Sequence, residues 1–108
     1  MARYLIQATY TSEARAAFVA NPQDRQASVR ALADKLAIRI ESFDFSLGDY
    51  DVVIIAEAPD DVTAVAVALV ASAPGHLSAY KTTKLLSNDE MMAAMRKASG
   101  VSFSAPTR

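Results

Sequence analysis

Five residues carry the chemistry this chain could do: Arg25, Asp49, Tyr50, Asp51 and His76. Asp49, Tyr50 and Asp51 are consecutive, and two carboxylates beside a phenol can bind a cation or a polar ligand, or serve as acid and base. The same residues suit a turn, where Asp tolerates the loop geometry and a Tyr packs while its hydroxyl finds a partner. Arg25 stands near the start of a helix, where a guanidinium and backbone N–H groups together favour a carboxylate or another anion. Its structural alternative is an Arg that snorkels past the core edge or pairs with Asp49 or Asp51. His76 has a side chain that titrates near neutral pH and could act as a general base; following Pro74-Gly75, it reads equally as a solvated turn histidine.

Several chemistries are excluded. There is no cysteine, hence no disulfide, thiolate nucleophile or Cys-based metal centre, and a reducing cytoplasm is the expected location. One histidine cannot build a His cluster within one subunit, and the methionines at 91, 92 and 95 read as core or interface filling. No metal or cofactor is therefore expected. No Ser lies in a Gly-x-Ser-x-Gly elbow, which disfavours a nucleophilic hydrolase. The net charge is −1 with both signs scattered, so no basic stripe marks a nucleic-acid partner. The start of the chain reads directly as strand, without the basic and apolar regions of an export signal. The longest uncharged stretch, Val62–Tyr80, is split by Pro74-Gly75, and its helical half is well short of the ~20 residues that cross a bilayer.

These residues must be positioned by regular elements. Alternation over Arg3–Thr11 predicts a first strand, and Ser12 caps a short helical turn carrying Ala14, Ala17 and Phe18. Asn21-Pro22 then starts a longer helix reaching about Ala37, with Val29, Leu32, Ala33 and Leu36 on one face and Arg25 one turn before them. Strands follow at Ile38–Leu47 and Tyr50–Ala58, joined by Gly48-Asp49 as a two-residue hairpin turn. The apolar phase shifts between Ile40 and Phe43, which calls for a bulge or for burial on both faces. Pro59-Asp60-Asp61 introduces a helix over Val62–Ala73 whose core stripe is Val62, Val65, Ala66, Leu69 and Ala73; its opposite face, Ala64, Val67, Ala68 and Ala71, also lacks charge. A strand over His76–Leu86 and a helix opened by the Ser87…Glu90 capping box and stopped at Gly100 complete the chain. Residues 1–100 form one domain, and 101–108 read as a mobile tail.

The order is β-α-β-β-α-β plus a C-terminal helix: an α+β, ferredoxin-like fold with a four-stranded antiparallel sheet. Its helices cover one face. The other should then be polar, yet Val52, Val53, Ile54 and Ile55 are apolar in succession. Sheets packed face to face in a homodimer, or a higher oligomer built from it, would satisfy both faces. The alternative cover is the C-terminal helix folded back.

Leu47-Gly48-Asp49-Tyr50-Asp51, Val52–Ile55 and Glu57-Ala58-Pro59-Asp60 closely resemble the GYD domain family, named for its Gly-x-Tyr-Asp hairpin. Asn21-Pro22 with Arg25 resembles the family's Pro…Arg helix opening, and Thr82-Thr83-Lys84 its Thr-x-Arg/Lys segment. The chain departs at Ala37-Ile38, where the family has a Gly-Gly-like turn, and at Leu86, where it tends to an aromatic. The resemblance implies the dimeric α/β-barrel group of ferredoxin-like folds. It is compatible with a small binding or regulatory module holding an organic ligand between sheet and helices. The alternative is a cofactor-independent enzyme, monooxygenase- or isomerase-like, by fold analogy. In either case the ligand is expected near the Gly48–Asp51 hairpin, with Arg25 as anchor for an anionic group.

Overall fold

The alternation Tyr4, Ile6, Ala8, Tyr10 against Leu5, Gln7, Thr9 produces a first strand, β1 (Ala2–Tyr10), with the first set buried. The computed structural model describes residues 1–107. After β1 come α1 (Ser12–Ala20), α2 (Arg25–Lys35), β2 (Arg39–Phe45), β3 (Val52–Ala58), α3 (Asp61–Ser72), β4 (Leu77–Leu85) and α4 (Asn88–Ala98). The sheet order is β2-β3-β1-β4 with every neighbouring pair antiparallel, the ferredoxin-like arrangement expected from the element order.

The bulge falls where the apolar phase shifts. Ile40 pairs with Ala56 and Ser42 with Ile55, leaving Glu41 as the extra residue on β2. Glu41 uses this position to accept from the Arg3 guanidinium at 2.9 Å.

The inner face of the sheet meets α2 and α3. Tyr4, Ile6, Ala8, Val52, Ile54, Ala56 and Ala58 pack there with Ala33 and Ile38, and with Ala64 and Val67 of α3. The expected rotation of α3 is thus corrected. Val62, Val65 and Leu69 are exposed, and Ala64 and Val67 face the sheet instead. Two causes act together. Asp61 accepts from the Tyr4 hydroxyl at 2.5 Å and pairs with Lys84 at 3.0 Å, which fixes the first turn against the sheet. Positions 64, 68 and 71 follow on that face, and their alanines let the helix approach closely.

Helix starts also differ from expectation. Thr11, not Ser12, caps α1 by accepting from the Ala14 amide. Asn21 ends α1, and α2 is capped by Asp24, which accepts from the Ala27 amide at 2.9 Å. The capping box of α4 forms as expected, with Ser87 and Glu90 each accepting from the other's amide.

Helix α2 ends in a Schellman-type turn: the Ile38 amide donates to the Ala33 carbonyl at 3.0 Å, with both side chains buried. The residue between, Ala37, has φ 55°, the left-handed region that favours glycine. The departure from the family's glycine pattern therefore lies at the backbone position where glycine fits best. Ala37→Gly is expected to raise stability by about 1 kcal/mol, by removing the strain of Cβ at positive φ. Thermal melting at fixed protein concentration should show a Tm higher by a few degrees, and an unchanged or lower Tm would contradict it.

Helix α4 does not fold back over the outer face of the sheet. All of its residues are exposed. The radius of gyration is 17.9 Å, against about 13 Å for a compact chain of this size, because α4 and the following residues project from the body. Residues 101–107 form neither helix nor strand and are exposed; Arg108, the end of the expected tail, lies outside the described residues.

Candidate functional site

Small residues on facing elements leave space in the core. Ala8 and Ala56 on the sheet lie beneath Ala33 of α2 and Ala71 of α3, and none of these side chains reaches across the layer. The result is a cavity of about 80 Å³ between the inner sheet face and the two helices. Its walls are Ile6, Val29, Leu32, Ile54, Val67 and their apolar neighbours, and its polar lining groups include Tyr10, Arg25, His76 and Tyr80.

Each polar side chain has a definite cause for its place. Tyr10 ends the buried face of β1, and Tyr80 pairs opposite Ala8 on β4, so both rings turn inward. The His76 carbonyl accepts from the Thr11 amide at 2.9 Å, which holds the residue beside the end of β1, and its ring lies 6.3 Å from that of Tyr10. Arg25 is the first residue of α2, and its guanidinium lies over the Phe18 ring, 5.7 Å from the ring centre. Phe18 in turn meets Tyr10 edge to face at 4.8 Å. Arg25 Nη1 donates to Gln23 Oε1 at 3.2 Å, whereas Nε is buried without a hydrogen-bond partner. A buried donor left unpaired costs about 1–3 kcal/mol, more when charged.

The electrostatics favour neutral groups around one cation. Burial, and then the charge of Arg25, hold the His76 imidazole below its ordinary pKa, so it is neutral at pH 7. Burial pushes the Tyr80 phenol up to about 12. The Tyr10 phenol is also raised by burial, with the nearby Arg25 opposing. Both phenols thus stay protonated at neutral pH and can donate to a bound oxygen. This arrangement can bind and orient an anionic or hydrogen-bonding head with an apolar body.

Of the five residues singled out in the sequence, the structure brings Arg25 and His76 to the cavity. Asp51 lines only a shallow depression outside it, shared with Tyr10, Phe18, Pro22, Gln23, Arg25 and Phe45. Asp49 and Tyr50 line neither. The expected two-residue hairpin is also corrected: residues 46–51 form a longer connection, closed by the Ser46 amide donating to the Asp51 carbonyl at 2.9 Å. Gly48 is not in the left-handed region that such a turn demands. The reason is Asp51, which is drawn to the end of β1. Its amide donates to the Ala8 carbonyl, and its carboxylate accepts from the Tyr10 amide at 2.9 Å and from Arg15 at 3.0 Å. These bonds hold the Asp51 carboxyl below its usual pKa range. Asp51 is thus paired with Arg15, not Arg25. At the N-terminus of α2 the Ala27 amide is already taken by the Asp24 carboxylate.

Residues 4–95 match the family model of the GYD domain. The chain belongs to the GYD domain family. Within this GYD domain the signature residues Gly48, Tyr50 and Asp51 form the β2–β3 connection, and Asp51 ties it to the strand that ends at Tyr10. Among solved structures, the crystal structure of MtbAldR is similar, with a TM-score of 0.55 and 15% identity over 81% of this chain. That likeness is one of fold, and this chain spans about half (52%) of the length of MtbAldR. No curated protein matches the sequence.

Tyr10 and Tyr80, which line the cavity, are not among the candidates that residue types and spacing single out. The usable signal was the phase of β1, which places Tyr10 on the face of Ile6 and Ala8, at the end nearest the turn that carries His76.

Proposed function

We propose that this GYD domain is a small homodimeric binding or regulatory module that holds a small organic ligand in the cavity between sheet and helices. One observation carries the reading: the guanidinium of Arg25 has its Nε buried and unpaired at a mostly apolar cavity. A fold that leaves such a donor unsatisfied is less stable than one that pairs it, and a ligand oxygen would supply the missing partner. A pocket mostly apolar, with a few convergent polar groups, is the usual form of a small-molecule site.

The dimer is supported by the outer face of the sheet. Leu5, Val53 and Ile55 form its centre, with Leu85 beside them, and no helix covers them. A cofactor-independent enzyme working in this cavity would use His76 as its base, since no carboxylate lines it. No carboxylate among the described residues hydrogen-bonds the imidazole to fix its tautomer, so the binding reading is the one we adopt.

The test is a thermal-shift screen of small organic compounds on the full chain, repeated on Ala71→Leu and on Ala33→Leu, each intended to fill the cavity. Compounds that raise the Tm of the wild type should lose that effect in whichever variant keeps a cooperative melt. Two variants are used because overpacking at Ala33 costs about 1–3 kcal/mol and can weaken the fold. Compounds that act equally on wild type and filled variants, or a screen with no cavity-dependent compound, would overturn the reading.

A further inference from the structure

We infer that the cavity takes short apolar monocarboxylates that carry no amino group, with the carboxylate on Arg25 and the alkyl tail against Val29, Leu32, Ile54 and Val67. This inference rests on the cavity being the ligand site. The first argument is charge. Arg25 is the one formally charged side chain among the residues lining the cavity, and no carboxylate lines it. An anionic head is matched there, and a guanidinium offers a planar edge to which both oxygens of a carboxylate can bind.

The second argument concerns what is missing. An α-amino acid would bring an ammonium group beside its carboxylate, and that cation would need an acceptor of its own. Neither acid beside the site is free to serve: Asp51 lies in the outer depression with its carboxylate held by the Tyr10 amide and Arg15, and Asp24 accepts from the Ala27 amide. An ammonium desolvated without a counter-charge, beside Arg25, is strongly unfavourable. A phosphate ester fits no better, since its second negative charge has no second cation within the cavity.

The third argument is size. At about 80 Å³ the cavity is small: it holds a few water-sized groups, not a fused ring system. An alkyl tail of about four or five carbons, straight or branched, suits that space, with its carboxylate on Arg25 and with Tyr10, Tyr80 and neutral His76 as further hydrogen-bond donors in the lining.

The experiment compares three molecules built on one skeleton, 4-methylpentanoate, 4-methylpentanamide and leucine, by calorimetric titration of the full chain. The acid should bind about ten- to a hundred-fold more tightly than either the amide or leucine. Arg25→Gln should bring the acid and the amide to within about two-fold of each other, whereas Arg25→Lys, which keeps a cation, should retain a preference for the acid, a pair of results that a merely misfolded variant would not give. Equal binding of amide and acid, or leucine binding at least as tightly as the acid, would overturn the carboxylate class. So would a failure of the acid to bind while other compounds still require the cavity. If the acid binds and neither Ala71→Leu nor Ala33→Leu weakens it, the cavity itself is not the site, and the proposed function fails with the inference.

Discussion

Ile54→Ala should lower the stability of this domain by about 2–3 kcal/mol, a shift in Tm of roughly 10–20 °C for a chain of this length. Ile54 sits in the middle of β3, 7% exposed, paired with Ile6 on one side and Phe43 on the other. Removing its outer carbons forfeits their transfer out of water and leaves space that its neighbours cannot close. The span for such truncations is about 2–5 kcal/mol, and the lower half is expected here. Ile54 already borders the cavity, so on that side it has fewer partners to lose. Urea unfolding at one fixed protein concentration is the appropriate measure, because a dimer's stability depends on concentration. A loss below about 1 kcal/mol would mean that the inner face is not the core. The truncation should also lengthen the space beside Leu32 and Val67, so 5-methylhexanoate should gain affinity relative to 4-methylpentanoate.

Much of this was legible from residue order. Strand phases follow from alternation, and the antiparallel sheet from the element order. The slip between Ile40 and Phe43 pointed to a bulge or to burial on both faces, and the register shows the bulge at Glu41. What was not legible depended on long-range partners. Helix α3 is apolar on both faces, so its pattern holds no preference for either. Its rotation is set by Asp61 reaching Tyr4 and Lys84, which lie far off in sequence. Gly48-Asp49 has the composition of a tight turn, yet Asp51 serves the backbone of Tyr10 on another strand, and the connection lengthens to allow it. Asn21-Pro22 looked like the start of α2, but Asp24 supplies the cap three residues later. Arg25 was recognised from its position ahead of Val29 and Leu32. The partners that make its surroundings, Tyr10, Phe18, His76 and Tyr80, come from three other parts of the chain, and no local pattern assembles them.

The neighbour of Ile54 should behave in the opposite way. Ile55→Asp is expected to leave the subunit folded and to abolish its association, so that light scattering falls from twice the chain mass of 11.5 kDa to 11.5 kDa. Successive residues of a strand face opposite sides. Ile55 therefore stands on the outer face, opposite Leu5 of β1 and Ser42 of β2, and next to Val53 along its own strand. In a lone subunit this face meets water, and an aspartate there is solvated at little cost. Between two sheets packed face to face it would be buried without a partner, at a cost of several kcal/mol, enough to dissociate an interface of about 1,200–2,000 Å². The surrounding charges support such a contact. Arg3 with Glu41 at 2.9 Å and Arg39 with Glu57 at 3.9 Å pair across the strands beside the apolar centre, as a polar rim would. Each pair is internally neutral, and the remaining charges of this face, Asp44 opposite Val53 and Lys81 opposite Gln7, are of opposite sign. Circular dichroism of Ile55→Asp should match that of the wild type, which separates dissociation from unfolding. A wild-type chain that runs at 11.5 kDa at micromolar concentration would sink the dimer, and an Ile55→Asp variant that remains at twice that mass would place the interface on some surface other than this face.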